Sequence, residues 1–512
     1  NTAGFLRLEP SHMPVGTGLN QVLTPIREVT TLAPAGTGSL HDAITTPHHG
    51  AGCTIDFDAA GNINRIGMAD LTIDQPGVQI RGETAPGEGI NLVGCGVRVK
   101  RSGVVLSNFR IVPGDKGGNV PNPENRDCIG LEGESQPVED VLIQGMTMAY
   151  AIDGLMDLYS TKIKRVSILD CIFAEPLDAS THPSGAHSTA LLISKGEDVL
   201  VARNLFAHWR NRAPAVRGPS NVGFVNNLLY NPRDALWQLY GSDASQTGGT
   251  ILMALIGNHA MMGRDCPWFR PSPLGFFEVA QSGMSSFNQS RVYKSDNLTT
   301  SHNDFIVGNA GLGITARSQY ANANAWPDTT PVVSALGYTL MSATNPVDLG
   351  SYVPMAASAV KAYVLANAGP RRADGTLRDS ILETRLRAEV ADGRTGTLKN
   401  VVPAAEAAYF GFPSDPPPVY DDIDDTAILA AIKAEAETRY PNNQTTDMTL
   451  VPSSTRTAVL PLLDVLNVGT GQPLATVDAV RAAALSGAAE LEALVESIDR
   501  QRANNGKPSW QG

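Results

Sequence analysis

Short apolar runs separated by polar breaks fill the chain from about residue 39 to residue 311. The runs are rich in β-branched residues, and Gly, Asn, Asp or Pro stand between them, as in "GVQIRG", "VVLSNFRIV", "VSILDCIF" and "NVGFVNNLLYN". No convincing helical spacing of apolar residues appears between these runs. Short strands punctuated by turn residues predict an all-β body.

The apolar runs also resemble one another. Aligning them places Asn204, Asn227, Asn258 and Asn297 at one recurring position, with Asp170 at the equivalent position earlier. A repeat of roughly 20–40 residues is typical of a solenoid, in which each coil packs on its neighbours. Because the short amide of asparagine bonds to the backbone in turns, stacked asparagines predict a ladder along the coils.

The pattern changes after about residue 355. Stretches such as "AASAVKAYVLANAG", "LRDSILETRLRAEVADG" and "TVDAVRAAALSGAAELEALVESIDRQ" are rich in Ala, Leu, Glu and Arg, with apolar residues three or four apart. This spacing predicts helices, and Gly369, Gly393 and Gly506 stand where helices would end. The stretch 413–418 contains three consecutive prolines and is typical of a linker.

Charge and hydropathy narrow the classes of function. The chain has 512 residues and a formal net charge of −12, and it shows no basic stripe, which argues against binding of nucleic acid. It contains no run of about 18 apolar residues, so no membrane span is predicted. Since the first residue is Asn1 rather than Met, any signal peptide would already be gone, and export is neither shown nor excluded by the sequence.

The cysteines favour a structural role. They are Cys53, Cys95, Cys128, Cys171 and Cys266. They are widely spaced, and no C-x-x-C pair suited to zinc or redox chemistry occurs. Several lie in β-like apolar runs, so we expect them to be small buried hydrophobic residues, and the odd count leaves at least one unpaired within the chain.

Several motifs, in order along the chain, resemble those of the bacterial pectate-lyase-like family. They are "RGETAPGEGI", "NFRIVPGDKGG", "AIDGLMD", "CIFAEPL", "HPSGAHSTALLIS", "NLFAHWRNRAPAVRG" and "LRDSILETRL", and they cover roughly residues 39–400. The resemblance implies a right-handed parallel β-helix, and the helical pattern of the later residues adds a helical C-terminal extension to this fold. It also implies cleavage of a uronic-acid polysaccharide by β-elimination, usually with bound calcium.

With this resemblance the chain divides into four predicted parts. They are an N-terminal segment or cap, 1–38; a parallel β-helix catalytic domain, 39–354; a helical segment that packs on the β-helix, 355–412; and a linker with an α-helical extension, 413–512. For the last of these parts only the helical pattern is available, because the resemblance does not reach it.

The resemblance implies a calcium site built from Asp127, Asp153 and Asp157, the first on a strand and the other two in a turn. Calcium takes oxygen ligands, and it would neutralise the uronate and stabilise the charge that develops when the proton leaves. In an extended strand Asp153 and Asp157 would point to one face, about 13 Å apart. Sharing an ion therefore requires a bend, which Gly154 permits. Without the resemblance, solvated turns are the simpler interpretation.

The family motif R-x-P-x-x-R is matched by Arg212 and Arg217. The resemblance implies that Arg212 is the base and that Arg217 holds the substrate carboxylate. Arginine is an unusual base because its pKa normally lies above 12. Arg212 would act as a desolvated base crowded by other cations, or it would stabilise charge while hydroxide or another group removes the proton. A pair of surface arginines on a loop is the alternative.

The segment "HPSGAHSTALLIS" lacks a lysine that the family commonly carries at the position of Ser184 or near Thr189. His182 and His187 remain there. His187 is a candidate general acid for the glycosidic oxygen, or a base near neutral pH, and His182 is a candidate substrate ligand; packing in a loop is the alternative for each. Trp209 is a candidate sugar-stacking residue, and its alternative is a buried loop anchor.

The sequence thus predicts a secreted polysaccharide lyase that acts with calcium on an acidic, pectate-like polysaccharide. Two alternatives stay open. One is a tailspike-type capsule depolymerase on a virion surface, and the other is a β-helix that binds an acidic glycan without catalysis. No nucleic-acid partner is expected, and the oligomeric state is not predicted.

Overall fold

A computed structural model divides the chain into two compact units, Asn1–Pro413 and Ser414–Gly512. It describes residue 23 and residues 25–413, apart from 50–51, 116–122, 134–135, 234–235, 241–248, 262, 264, 266–276, 280–289, 301–313, 316–331, 334–337, 340–341, 351 and 394. Nearly all of the predicted extension 413–512 and much of the segment 1–38 lie outside the described residues, and the four-part division stays a prediction. Within the described ranges, no helix has the length and apolar character that a membrane crossing requires.

The strands of the first unit form three parallel sheets. Sheet A contains β4 (Leu71–Ile73), β7 (Val97–Val99), β10 (Ile129–Leu131), the first part of β13 (Gly154–Leu169), the first part of β15 (Thr189–Ala202), β17 (Ala215–Arg217), β20 (Trp237–Tyr240), β23 (Phe277–Val279) and β26 (Ile314–Thr315). Sheet B contains β1 (Ile26–Val29), β2 (Cys53–Phe57), β5 (Val78–Arg81), β8 (Val105–Ser107), β11 (Val138–Gln144), the later parts of β13 and β15, β18 (Ser220–Val225), β21 (Ile251–Ile256) and β24 (Arg291–Ser295).

Sheet C completes each coil. It contains β3 (Gly61–Asn64), β6 (Ile90–Val93), β9 (Arg110–Val112), β12 (Thr147–Ala149), β14 (Ile172–Ala174), β16 (Leu205–Trp209), β19 (Leu228–Pro232), β22 (His259–Met261) and β25 (Leu298–Thr300). A separate antiparallel pair is formed by β27 (Val332–Val333) and β28 (Tyr338–Thr339).

Each strand pairs in parallel with its equivalent one coil later. In sheet A, β7 pairs with β10, β10 with β13, and β13 with β15. The pairing of β13 with β15 shifts between Tyr159 and Ile163, which marks the corner where both strands pass from sheet A into sheet B. The fold is therefore the right-handed parallel β-helix that was predicted.

Alternation along the strands separates the core from the surface. In β13, Met156 and Leu158 are fully buried in the core, whereas Asp157 is partly exposed and Tyr159 is exposed. The period of two puts every second residue on the outer face of the sheet. The four described cysteines are buried free thiols, as expected: Cys53, Cys95, Cys128 and Cys171. Cys266 lies outside the described residues.

The asparagine ladder is present. Nδ2 of Asn204 donates to Oδ1 of Asn227 at 3.0 Å, Asn227 to Asn258 at 3.2 Å and Asn258 to Asn297 at 2.9 Å. One coil earlier the ladder position belongs to Cys171, because its N–H donates to Oδ1 of Asn204 at 2.8 Å. Asp170 lies one residue before it, in a left-handed bend with φ 53°, and pairs with Arg203 at 2.9 Å. The assignment of Asp170 to the ladder was therefore wrong by one residue.

The helices flank the β-helix. They are α1 (Leu40–Thr45), α2 (Ala357–Asn367), α3 (Ile381–Asp392) and α4 (Ala404–Phe410), with short 3₁₀ turns at Gly82–Thr84 and Pro123–Asn125. Ser39 caps α1 and accepts the N–H of Asp42 at 3.1 Å. A capping box of Ser380 and Glu383 starts α3, which ends at Gly393 as predicted. Apolar side chains of α2, α3 and α4 pack on the outer face of sheet C.

A buried charge cluster joins sheet C to α3 and α4. This helix cluster consists of Glu175, His208, Arg385, Glu389, Lys399 and Glu406. Arg385 donates to Glu175 at 2.9 and 2.7 Å and to Glu406 at 2.6 Å. Nε2 of His208 lies 3.0 Å from Glu389, which also pairs with Arg385 at 3.0 Å. Each carboxylate of the cluster thus has a cationic partner.

Candidate functional site

Asp127, Asp153 and Asp157, called here the carboxylate triad, meet where the chain enters sheet A. Asp127 lies two residues before β10, Asp153 lies directly before β13, and Asp157 lies within β13. The prediction that a strand carries Asp127 and a turn carries Asp157 was thus wrong, because Asp127 lies outside any strand and Asp157 lies within one. Asp153 lies in a bend just before Gly154, so the bend that two ligands on one ion require is present.

The triad brings three carboxylates together with few donors. One ligand oxygen from each lies within 4.8 Å of the others. Asp127 is held on both sides, because Oδ1 accepts the N–H of Gly154 at 3.0 Å and Oδ2 accepts Nη1 of Arg98 at 2.7 Å. Oδ1 of Asp153 and Oδ1 of Asp157 are buried and accept no hydrogen bond from the described residues. Buried carboxylate oxygens without donors are costly, so this arrangement suits a cation.

The pKa values follow from this crowding. Burial raises the pKa of Asp127 to about 6, with Arg98 opposing the shift and Asp153 adding to it. Burial, followed by the charges of Asp127 and Asp153, raises the pKa of Asp157 well above its ordinary value. Like charges held together out of water disfavour ionisation. A bound divalent cation would reverse this preference because it stabilises the ionised carboxylates.

Arg98 is a residue of this site that sequence reasoning missed. It lies on β7, in register with Gly130 of β10, which is in register with Asp157 of β13. A Cβ on Gly130 would lie 2.4 Å from Nη1 of Arg98, so glycine leaves room for the guanidinium. Arg98 pairs with Asp70 at 2.8 Å and with Asp127 at 2.7 Å. Strand alternation places Arg98 on the outward face of β7, but only the register between coils puts it in one row with Asp157.

Gly154 leaves the space between the carboxylates. A Cβ at this position would lie 2.6 Å from Oδ1 of Asp157 and 3.2 Å from Oδ1 of Asp127. Carboxylate oxygens are the hard donors that calcium prefers. The residues present therefore fit a calcium ion both in donor chemistry and in space.

His182 and His187 stack on each other beside the triad. Their ring centroids are 3.8 Å apart and their planes differ by 2°. Nε2 of His187 lies 2.8 Å from Oδ1 of Asp153 but forms no hydrogen bond with it, and Nε2 of His182 lies 3.9 Å from the same oxygen. Nδ1 of His182 accepts the N–H of Ser184 at 3.0 Å, so the neutral ring carries its proton on Nε2. Burial and His187 lower the pKa of His182.

Arg217 is the last residue of β17, which is two strands from β13 in sheet A, and Arg212 lies three residues before β17. The backbone oxygen of Arg212 accepts the N–H of Leu191 at 2.5 Å, and its charge lowers the pKa of Asp157 against the larger effects named above. Its guanidinium makes no hydrogen bond or ion pair with any described residue. Arg217 pairs in register with Ser194 and lies on the same outward face as Asp157. The structure thus brings both arginines to the face that carries the triad.

Trp209 lies elsewhere. It is 1 % exposed and belongs to the core, where its ring is 6.2 Å from that of Phe206. A sugar cannot reach this indole from the solvent, so the structure contradicts the predicted stacking role. The alternative of a buried anchor fits, because Trp209 ends β16 with its side chain turned inward.

The comparisons with known proteins point to one group. No family model matches the chain. The probable pectate lyase C of Aspergillus fumigatus is 25 % identical over 403 residues, which are 76 % of this chain and 80 % of that protein. The probable pectate lyase C of Aspergillus flavus is 25 % identical over 375 residues, which are 72 % and 74 % of the two chains.

Solved structures show weaker likeness. Pectate lyase II from Xanthomonas campestris pv. campestris has a TM-score of 0.42 at 16 % identity, over 70 % of this chain and 98 % of that chain. Pectate lyase Bsp165PelA from Bacillus sp. N165, in complex with trigalacturonate, has a TM-score of 0.42 at 12 % identity, over 68 % and 94 %. These scores are too low to transfer site geometry. The chain is thus similar in sequence to proteins named pectate lyase. Because these relatives are fungal, the bacterial affiliation of the resemblance is not confirmed.

Proposed function

We propose that the chain is a secreted polysaccharide lyase that cleaves a uronic-acid polysaccharide, pectate or a similar acidic glycan, by calcium-assisted β-elimination. Similarity to proteins named pectate lyase supports the substrate class and the reaction. One observation carries the proposal: a carboxylate triad with two buried oxygens that accept no hydrogen bond from the described residues, on the face of sheet A that also carries Arg212.

The reaction sets what the site must do. A proton leaves the carbon beside the uronate carboxylate, and the electrons of that C–H bond form a C=C bond. The glycosidic C–O bond breaks, and the departing oxygen takes up a proton. Negative charge develops next to an existing carboxylate, so stabilising that charge is the main requirement.

Asp127, Asp153 and Asp157 would hold a calcium ion, which when bound neutralises the uronate and stabilises the developing charge. Arg98 orients Asp127 through its 2.7 Å ion pair. Oγ1 of Thr189 donates to the backbone oxygen of Asp153 at 3.2 Å, which ties the turn that carries Asp153 to the next coil. These contacts keep the carboxylates in place before substrate arrives.

In this proposal Arg212 acts at the carbon that loses its proton. Arg217 binds the substrate carboxylate, whose two oxygens match the planar guanidinium. Arginine normally keeps its proton. On one route, the small fraction of molecules in which Arg212 is deprotonated removes the substrate proton. On the other, protonated Arg212 stabilises the developing charge while hydroxide removes the proton. The concentrations of deprotonated arginine and of hydroxide both rise with pH, so on either route the rate should rise toward alkaline pH.

His187 is assigned the proton that the departing oxygen takes up. It borders the triad, and its side chain is 18 % exposed, against 5 % for His182. His182 stacks on it, keeps its ring oriented and offers Nε2–H toward the substrate. The two histidines occupy the segment in which the family carries its lysine.

The test is an absorbance assay on polygalacturonate with calcium and with a chelator. A lyase product absorbs in the ultraviolet because the new C=C bond is conjugated with the carboxylate. We expect absorbance to rise only with calcium and to be absent for Arg212→Ala. The control Arg101→Ala removes an arginine that pairs with Asp74 at 2.8 Å, outside the site, and should remain active.

Other outcomes would favour other functions. Shortening of the polymer without absorbance would contradict lyase chemistry, and binding without shortening would favour an acidic-glycan-binding β-helix. Undiminished turnover by Arg212→Ala would overturn the role assigned to that residue. The virion-surface alternative has no support among the similar proteins reported above, which are named pectate lyases.

A further inference from the structure

A cavity lies on sheet B, apart from the triad on sheet A. Its volume is about 340 Å³, within the range of small-molecule sites. The strands β5, β8 and β11 form its floor, and the loop 371–375, which follows α2, forms one rim. The helix cluster and the triad contribute no residue to its lining.

Two outward rows of sheet B make the floor. The first row is apolar at two of its three positions: Gln79 pairs with Val105, which pairs with Leu142. The second row, two residues further along, is polar: Arg81, Ser107 and Gln144. An apolar patch edged by amide, hydroxyl and guanidinium groups is complementary to a sugar ring, which has an apolar face and polar hydroxyl groups at its edge.

The same face is covered further along the β-helix. There the outward residues Leu200 and Ala254 pack against Val347 and Leu349 in one apolar cluster. Val105 and Leu142 belong to this cluster by packing, yet they also line the cavity. The outer face of sheet B thus passes from a packed layer to the floor of the cavity, where Val105 and Leu142 are still 7 % and 4 % exposed.

The charges around the cavity are unevenly compensated. Arg81 is neutralised by Asp56 at 2.7 Å, and Asp170 by Arg203 at 2.9 Å. Glu83 accepts hydrogen bonds from Oγ of Ser107 at 2.8 Å and from Nδ2 of Asn108 at 2.9 Å. Ion pairs thus neutralise Arg81 and Asp170, whereas the neutral donors Ser107 and Asn108 hold Glu83 without neutralising its charge.

The two arginines of the rim are different. Arg371 donates to backbone oxygens of Gly375 and Asn367 at 2.6 and 2.7 Å. Arg372 donates to the backbone oxygen of Leu377 at 2.7 Å. These bonds fix the guanidinium groups in place without neutralising them, and neither forms an ion pair with a described carboxylate. Two positioned cations beside an apolar floor suit an anionic ligand.

We propose that this cavity is a second carbohydrate site, which binds an acidic sugar residue through its carboxylate on Arg371 and Arg372 and its ring on Val105 and Leu142. The site is independent of the triad and of calcium. It would hold a polyuronate chain to the protein at a distance from the cleavage site, and such linked binding raises the effective concentration of substrate.

The experiment is a titration of the full chain with galacturonate in the presence of a chelator, followed by ligand-observed NMR or calorimetry. Ala373 lines the rim and is exposed, so substitutions there should leave the fold intact. Ala373→Glu places a like charge beside the ligand carboxylate and should weaken binding about tenfold or more. The matched control Ala373→Gln has the same size without charge and should bind within about twofold of the parent chain.

Two further arms separate this site from the proposed catalytic one. Galactose, which lacks the carboxylate, should bind far more weakly than galacturonate. Arg212→Ala should bind galacturonate in the chelator as the parent chain does, whether or not the parent is a lyase. Equal binding by Ala373→Glu and Ala373→Gln, equal binding of galactose, or loss of binding in Arg212→Ala would each overturn the proposal.

Discussion

Two groups of buried carboxylates lie on different faces of the β-helix, and their charges are compensated to different degrees. In the helix cluster, burial would raise the pKa of Glu175, but Arg385 and Lys399 lower it to about 2. In the triad, burial raises the pKa of Asp127 to about 6 even though Arg98 contacts it. Glu175 and Asp127 are 0 % and 3 % exposed. Depth of burial therefore does not explain the difference, and the number of nearby cations does.

The difference separates a structural cluster from a functional one. Glu175 receives two nitrogens of Arg385 and so joins sheet C to α3. Arg98 divides its donors between Asp70 and Asp127, and it leaves oxygens of Asp153 and Asp157 without a donor. A compensated cluster holds two layers together. An uncompensated cluster costs stability, and a ligand that binds the folded state offsets this cost.

The substitution Asp157→Asn should produce the largest separation between activity and stability. Loss of one ligand removes several kcal/mol of charge stabilisation, so kcat should fall by on the order of 1,000-fold. The free energy of unfolding in a chelator should stay equal or rise, because a crowded buried charge is removed. Initial rates and urea unfolding at pH 8 measure the two effects. Asp58→Asn, at an exposed position, should change neither, and a large loss of stability in Asp157→Asn would contradict the comparison.

In the helix cluster, Arg385→Met should have the opposite outcome. Removing one partner leaves buried carboxylates uncompensated, and the free energy of unfolding should fall by about 3–5 kcal/mol. The folded fraction should keep its turnover, since Arg385 is remote from sheet A. A matched control is Arg165→Met: Arg165 also pairs with two carboxylates at 2.7 Å, but those carboxylates are 30 % and 38 % exposed, against 0 % for Glu175. That change should cost about 1 kcal/mol or less.

Acid should weaken the helix cluster through Glu175. Its pKa in the folded chain lies below its ordinary value. Its contribution to the free energy of unfolding is therefore complete at pH values above the ordinary pKa and is lost as the pH falls toward 2. The shift corresponds to stability on the order of 3 kcal/mol. Urea unfolding from pH 6 to pH 2.5 should show a steeper loss for the parent chain than for Glu175→Gln. Parallel curves for the two proteins would show that Glu175 is not the group responsible.

The space at Gly154 should affect calcium binding more than stability. In Gly154→Ala the new methyl group would lie 2.6 Å from Oδ1 of Asp157, so the carboxylates must move and calcium affinity should fall about 10–100-fold. Competition with a calcium-sensitive dye measures the change. Gly130→Ala is the companion variant, because the atoms nearest to its methyl group belong to the side chain of Arg98 and not to a carboxylate of the triad. We expect a smaller loss of calcium affinity in Gly130→Ala. An equal or larger loss would indicate that the position of Arg98, rather than the space between the carboxylates, governs calcium binding.

The smallest effect is expected at Trp209. Because this ring is buried in the core, Trp209→Phe should leave KM for polygalacturonate within about twofold and lower the free energy of unfolding by about 1–3 kcal/mol. Steady-state kinetics and urea unfolding test this. A large rise in KM with unchanged stability would restore the sugar-stacking role that the structure contradicts.

Particular residues show which predictions the sequence supports. The ladder of Asn204 and its equivalents was predictable because the same position recurs in each coil. Asp170 was placed in it by mistake, because the left-handed bend and the ladder position are adjacent and both favour polar residues. The triad was found through the family resemblance, since the spacing of Asp153 and Asp157 is equally compatible with solvated turns. Arg98 was missed because its partner Asp127 lies on another coil.

Within the described residues, the sequence by itself determined the strands, the turns, the helices between residues 355 and 412 and the residue types of the candidate site. These features follow from periodicity and turn preferences, which act over a few residues. Only the tertiary structure decided which charges are compensated. Arg385 and Glu175 are 210 positions apart in the chain, while Asp127 meets Asp157 only because β10 and β13 are neighbours. Burial and distance set these interactions, and both arise only when the coils stack.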